Sequence, residues 1–144
     1  MIQVICPVCG AALEPQGTAW RCAQGHCFDV ARQGYVNLLT VTQKHSRHPG
    51  DTREMVAARR AFLDAGWYAP IAKTLADLVR RFCPEAASVL DAGCGEGYYL
   101  SQLSWVPERW GIDISRDAVR YAAARDRGAH WLTATAAHLP FADG

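Results

Sequence analysis

The sequence predicts an α/β protein made of three consecutive parts: a small amino-terminal β module, a helical connector, and the first half of an open, Rossmann-like sheet with three parallel strands. Three observations predict this fold. Closely spaced cysteines and a histidine occupy the amino-terminal end, helical patterns occupy the middle, and apolar strand-like runs alternate with helices in the remainder. The expected boundaries are residues 1–40, 41–85 and 86–144.

The composition is that of an ordinary globular protein. Half of the residues are apolar, one fifth are charged, and the formal net charge is only +1. A near-neutral chain does not adhere broadly to nucleic acid, although a local basic surface still can. No apolar run approaches the roughly 18 residues that a membrane span requires, so we expect no membrane partner.

The amino-terminal module carries a metal-ligand pattern. Cys6 and Cys9 form a C-x2-C knuckle, and Cys22 and His26 follow with three residues between them. Zinc prefers tetrahedral sulfur and nitrogen ligands, and a closed Cys3His set leaves no position for water, so the predicted site is structural. Cys27 is the alternative fourth ligand. Because so short a segment buries little apolar surface, metal binding would contribute much of its folding free energy.

The connector is predicted to contain two helices. Asp51-Thr52-Arg53-Glu54 has the form of a capping box, so one helix should begin there and end at Gly66. Pro70 suits the first turn of a second helix, whose apolar residues fall on one face and are expected in the core: Ile71, Leu75, Leu78, Val79 and Phe82. Residues 44–53 are locally basic, which is typical either of a phosphate-contacting loop or of a solvated linker.

The last part reads as strands at 88–91, 109–114 and 130–134, with helices at about 98–105 and 116–127 between them. Asp91 closes the first strand, and glycines at 93, 95 and 97 follow. Bare glycines let the backbone turn sharply and approach a ligand closely. The spacing is not the dinucleotide fingerprint G-x-G-x-x-G, since Tyr98 stands at the third position.

A second acid, Asp113, ends the next strand about twenty residues later, where open α/β sheets offer a carboxylate to ribose hydroxyls. The alternatives are a tight glycine turn that binds nothing, and an acid that only starts the following helix, with Ser115 as its N-cap.

At this point the chain resembles two nested groups of proteins. Val89 to Gly97 is similar to the first motif of class I methyltransferases that use S-adenosylmethionine (SAM). Residues 28–39, 49–51 and 58–66, together with the C-x2-C and C-x3-H motifs, resemble the RlmA family of 23S rRNA guanine-N1 methyltransferases.

The resemblance implies an RNA-recognition module with structural zinc, joined to a SAM-dependent enzyme that methylates guanine N1 in a hairpin of 23S rRNA in the cytoplasm. It implies that SAM contacts come from residues of the connector and the sheet: Tyr68, Asp91, Gly93, Gly95, Glu96, Gly97, Asp113, Ile114, Thr135 and Leu139. Many relatives carry an Asp where Thr135 stands, so a carboxylate bond to the adenine is not expected. No residue is assigned as the catalytic base.

The resemblance implies a sheet of seven strands, whereas the sequence predicts only three here. The expectation is therefore a truncated product whose first strand is an open apolar edge, which favours self-association as a homodimer. Two other functions remain open: a non-enzymatic zinc- and RNA-binding remnant, and a small-molecule methyltransferase with a zinc appendage.

Overall fold

The computed structural model of the chain describes residues 2–143. The amino-terminal module is a three-stranded antiparallel sheet of β1 (Leu13–Gln16), β2 (Ala19–Cys22) and β3 (Cys27–Asp29), in the order β1-β2-β3. Gly17 makes the tight turn between β1 and β2 with a φ of 63°, which a residue with a side chain rarely adopts.

A second sheet has four parallel strands in the order β4-β7-β6-β5. Their bounds are β4 (Tyr35–Asn37), β5 (Ser88–Ala92), β6 (Glu108–Asp113) and β7 (His130–Thr133). The three predicted strands are confirmed, and β4 is an addition. Three residues are too short a run for a period of two to be visible, and β4 is a strand because Tyr35 and Val36 are buried beside β7.

The helices are α1 (Arg53–Asp64), α2 (Ala69–Phe82), α3 (Tyr98–Ser101) and α4 (Arg116–Arg125). The cap of α1 is Thr52, whose Oγ1 accepts a hydrogen bond from the Met55 amide at 3.3 Å. Asp51, the predicted cap, instead forms an ion pair with Arg59. The predicted helix at 98–105 is shorter than expected, since turns replace it after Ser101. Within residues 2–143 no helix has the length and apolar character needed to cross a bilayer.

The two faces of the parallel sheet bury two separate cores. Neighbouring residues of a strand point to opposite faces, so Leu132 and Trp131 in β7 enter different cores. Leu132 packs with the amino-terminal module, where the ring of Trp20 meets Trp110 edge-on with centroids 6.3 Å apart. Trp131 packs beneath Val119 on α4. The module is therefore fixed against the sheet.

One face of α2 corrects the prediction from the sequence. The predicted core residues Ile71 and Phe82 are 53% and 72% exposed, and Leu75 and Leu78 are exposed as well, whereas Val79 packs against the core beneath α4. Helical periodicity identifies the apolar face, but it does not say what covers that face. Within the described residues most of this face remains open.

Candidate zinc site and cofactor site

The predicted zinc ligands converge on one point. The Sγ atoms of Cys6, Cys9 and Cys22 and the Nδ1 atom of His26 all lie within 4.8 Å of one another. The distance is 3.7 Å between Cys9 Sγ and Cys22 Sγ, and 3.3 Å between Cys22 Sγ and His26 Nδ1. A tetrahedron with zinc bonds of about 2.1–2.3 Å has edges of about 3.4–3.8 Å, close to these two distances, so the cluster suits a zinc ion.

Local turns bring these ligands together. Gly10 has a φ of 73° and its amide donates to the Cys6 carbonyl at 2.8 Å, while Gly25 makes the equivalent turn after Cys22 at 3.0 Å. Burial raises the pKa of Cys22, but hydrogen bonds from the backbone and side chain of His26 lower that pKa to about 6. The thiolate, which is the form that binds zinc, is therefore favoured. Cys27 is exposed and lies outside the cluster.

The glycine loop follows β5 and is held by backbone bonds from the neighbouring strand. The amides of Gly93 and Cys94 both donate to the Ile112 carbonyl, at 2.8 and 2.9 Å, and the Gly95 amide donates to Asp113 Oδ2 at 3.0 Å. Gly93 and Gly95 have φ values of 91° and 56°. The turn therefore needs residues without a side chain at these two positions.

Two cavities meet at Gly93. The first, of about 360 Å³, is lined by Asp91, Gly95 and Arg59 together with apolar residues of α2. The second, of about 260 Å³, is lined by Asp113, Ile114 and Thr135 at the ends of β6 and β7. A Cβ atom built on Gly93 would meet no atom within 4 Å, so this glycine faces open space between them.

This arrangement suits a ligand with an amino-acid end and a nucleoside end. The first cavity offers a carboxylate and a guanidinium, and the second offers the Asp113 carboxylate between apolar walls. Burial, and to a lesser degree the charge of Asp113, raises the pKa of Asp91. A cationic group beside Asp91 would relieve that cost. The residues therefore fit SAM, whose two halves have these characters.

Other predicted cofactor residues have different surroundings. Gly97 lies against the core, because a Cβ atom there would be 2.8 Å from the Trp131 ring and 3.0 Å from Ala122 Cβ. Glu96 is buried, and its carboxylate pairs with Arg125. Tyr68 is at the start of α2, edge-on to Phe62 with centroids 5.0 Å apart. The roles of Gly97, Glu96 and Tyr68 in cofactor binding therefore stay predictions.

Leu139 and Thr135 line a third cavity, of about 600 Å³, together with residues of the zinc knuckle and His45.

Arg59 was absent from the predicted set, and no local pattern marks it. It reaches the first cavity from α1, which is distant in sequence from the glycine loop, so its place there depends on tertiary structure.

Known proteins match the two halves of the chain separately. Residues 4–47 match the zinc ribbon of the family described as RlmA, N-terminal, and residues 89–144 match a methyltransferase domain family. A methyltransferase domain of this kind uses SAM, and the Cys3His ribbon indicates structural zinc.

Three relatives match almost the whole chain. It is 41% identical to a putative 23S rRNA (guanine-N(1)-)-methyltransferase of Micromonospora griseorubida and 42% identical to the 23S rRNA (guanine(748)-N(1))-methyltransferase of Streptomyces fradiae. A putative enzyme of the same kind from Bacillus subtilis is 32% identical. Each match covers 96% of this chain and 53%, 51% and 51% of the respective relative, so the chain spans about half the length of the curated relatives it matches. The chain therefore carries a zinc ribbon of the kind described as RlmA, N-terminal, followed by a methyltransferase domain, and over 96% of its length it is similar to proteins named 23S rRNA guanine-N1 methyltransferases.

Proposed function

We propose that the chain serves the SAM-dependent methylation of guanine N1 in a hairpin of 23S rRNA, with the ribbon contacting the RNA and the glycine loop holding the cofactor. The observation that carries this proposal is the pair of cavities joined at Gly93, in a chain 41% and 42% identical to proteins named for this reaction. Since the chain spans about half of each relative, the reaction is proposed for the whole protein.

The residues of this chain perform binding and orientation. When bound, SAM supplies a methyl group on a sulfonium, which is already a strong electrophile. The main-chain turn at Gly93 lets the ligand approach the sheet, Asp91 takes the ammonium group, and Asp113 takes the ribose hydroxyls. Ile114 borders the nucleoside end and Thr135 borders the adenine. Fixing both ends of the cofactor fixes the direction from which its methyl group can be attacked.

The basic stretch at residues 44–53 supports the contact with RNA. Lys44 and Arg47 are exposed, and the end of the stretch is anchored, since Ser115 Oγ donates to the Asp51 carbonyl at 2.8 Å. The stretch thus runs from the zinc ribbon to the segment after β6, next to Asp113. The cavity of about 600 Å³ lies along the same route, between the zinc knuckle and His138. Of the two interpretations left open by the sequence, we favour the phosphate-contacting loop. The site of action would be the cytoplasm, where 23S rRNA is found.

The test is transfer of tritiated methyl groups from SAM to unmodified 23S rRNA, followed by primer extension. Methylation at N1 blocks base pairing, so the expected result is label in the RNA and a reverse-transcription stop at one guanine. Binding of SAM and RNA by the whole protein without transfer would instead support a non-enzymatic remnant. RNA binding that survives removal of zinc would support a small-molecule methyltransferase.

A further inference from the structure

The guanidinium of Arg59 lies over the glycine loop. Arg59 belongs to α1, and its Nη1 atom is 4.0 Å from the place that a Cβ atom on Gly95 would occupy. Gly95 has a φ of 56° and lines the first cavity beside Gly93. The absent side chain of Gly95 therefore leaves room between the bare backbone and a cationic group from another helix.

The charges in this cavity are arranged as a pair of opposite sign. Among the described residues that line it, Arg59 is the one basic side chain, and Asp91 supplies a carboxylate. Glu96 also lines the cavity, but Arg125 neutralises its carboxylate. Arg59 pairs with Asp51, which does not line the cavity, so one positive and one negative group face the cavity itself. A ligand with one ammonium and one carboxylate matches this pattern, whereas a ligand with only an ammonium would make no use of the Arg59 charge.

A second set of contacts orients Arg59. Its Nη1 atom is 2.9 Å from Asp51 Oδ2, and the Asp51 carbonyl accepts the hydrogen bond from Ser115 Oγ. Gly50 fits tightly at the same point, because a Cβ atom there would be 2.9 Å from Ile114 Cγ2. Asp51 is thereby held against the residues that directly follow Asp113 at the end of β6. Since a guanidinium offers five donors in a fork, Arg59 can keep Asp51 and still hold a second carboxylate.

We propose that Arg59 binds the α-carboxylate of SAM, while Asp91 binds its ammonium group. This assignment rests on the proposed cofactor site. The Arg59 side chain is 54% exposed, so a bound ligand would remove water from the pair and strengthen it. Arg59 would act as a binding residue at the amino-acid end of the cofactor.

The experiment compares two ligands by calorimetry: SAM, and decarboxylated SAM, which lacks only the carboxylate. The proteins are the whole chain, Arg59→Ala, Arg59→Lys and the matched control Arg60→Ala. Arg60 is the next residue on α1, but it pairs with Asp64 and lies over the Tyr121 ring. We expect Arg59→Ala to weaken SAM about 10-fold or more, and decarboxylated SAM by less than about 2-fold. Arg59→Lys should recover part of the loss, and Arg60→Ala should change neither affinity.

The outcomes separate the two proposals. Equal weakening of both ligands by Arg59→Ala, or no weakening of either, would overturn the assignment while leaving the cofactor site intact. Failure of the unaltered chain to bind either ligand would instead count against the cofactor site itself. Zinc content and circular dichroism establish that each variant is folded. If Arg59→Ala is not folded, Arg59→Lys, which retains the positive charge, takes its place in the comparison of the two ligands.

Discussion

The backbone amide of Gly95 donates a hydrogen bond to Oδ2 of Asp113, at 3.0 Å. The other carboxylate oxygen, Oδ1, accepts from the Ser115 amide at 2.8 Å. Asp113 thus ties the glycine loop after β5 to the start of α4. Each carboxylate oxygen accepts more than one bond, so Asp113 can hold the loop and still offer acceptors to a ribose in the neighbouring cavity.

Asp113→Ala should therefore damage both stability and cofactor binding. Loss of the acceptor leaves the amides of Gly95 and Ser115 unpaired, which costs about 1–3 kcal/mol in the free energy of unfolding. SAM affinity should fall about 10-fold or more. Urea unfolding and calorimetry measure the two effects. Asp77→Ala is the control, because Asp77 is an exposed acid that pairs with Lys73 on α2. Unchanged SAM affinity in Asp113→Ala would remove this acid from the cofactor site.

Alanine at Gly93 and at Gly97 should give different defects. Both positions have positive φ, so each substitution costs about 1–2 kcal/mol from the backbone alone. At Gly97 the added methyl also meets Trp131 at 2.8 Å, and overpacking costs about 1–3 kcal/mol more. At Gly93 the methyl meets no protein atom and occupies ligand space instead. We expect Gly97→Ala to be the less stable protein and Gly93→Ala to be the weaker SAM binder, measured by urea unfolding and calorimetry.

The reverse ranking would mean that the two glycines have been assigned to the wrong roles. Their contrast also shows what the sequence could predict. The alternation of glycines after an apolar strand identified the loop, because that pattern depends on local backbone geometry. It could not separate a glycine that faces a cavity from one that faces Trp131, since Trp131 is distant in sequence.

The same distinction applies to the rest of the chain. The zinc ligands were predictable because ligand spacing is local, although spacing did not decide between His26 and Cys27, and the fold places His26 in the cluster. The strand β4 was missed because its burial depends on β7. The apolar face of α2 was identified correctly as apolar and wrongly as core, since burial depends on what packs there.

Zinc should hold the ribbon in its folded form. Cys9→Ser removes one of four ligands, so the metal should be lost and the first forty residues should unfold. Cys6 and Cys22 lie in the core shared with Trp110 and Leu132, so the sheet should be destabilised as well. Cys27→Ser is the matched control and should bind zinc normally, because Cys27 is exposed and outside the cluster. Metal analysis and hydrogen exchange test both expectations. Full zinc content in Cys9→Ser would contradict the ligand assignment.

Asp91 should make stability and SAM binding respond to pH in opposite directions. Its pKa is raised by burial, and further by Asp113, so the folded protein holds the proton more tightly than the unfolded chain does. Ionised Asp91 therefore lowers stability, and the loss develops as pH rises from the unfolded pKa of about 3.9 through the higher folded pKa. The ammonium group of SAM favours ionised Asp91, so affinity should rise across the same window.

Asp91→Asn removes this contribution, since the amide keeps the shape of the side chain and does not titrate. Unfolding free energies and SAM affinities, measured from about pH 4 to pH 7 for both proteins, should differ in slope within that window. Parallel profiles would show that Asp91 is not the group responsible.

The ion pair of Glu96 and Arg125 should be a strongly coupled contact. The Glu96 side chain is 3% exposed, and Arg125 also donates from Nε to the Glu96 carbonyl at 3.2 Å and pairs with Asp64 at 2.9 Å. Arg125→Met leaves the buried carboxylate without its partner and should cost about 3–5 kcal/mol in the free energy of unfolding. Glu96→Gln combined with Arg125→Met should cost less than the sum of the single changes, because no uncompensated charge remains. Urea unfolding of the four proteins gives the coupling energy, and strictly additive losses would show that the two side chains do not interact. Lys73→Ala, which removes the exposed pair with Asp77 on α2, is the surface-pair control.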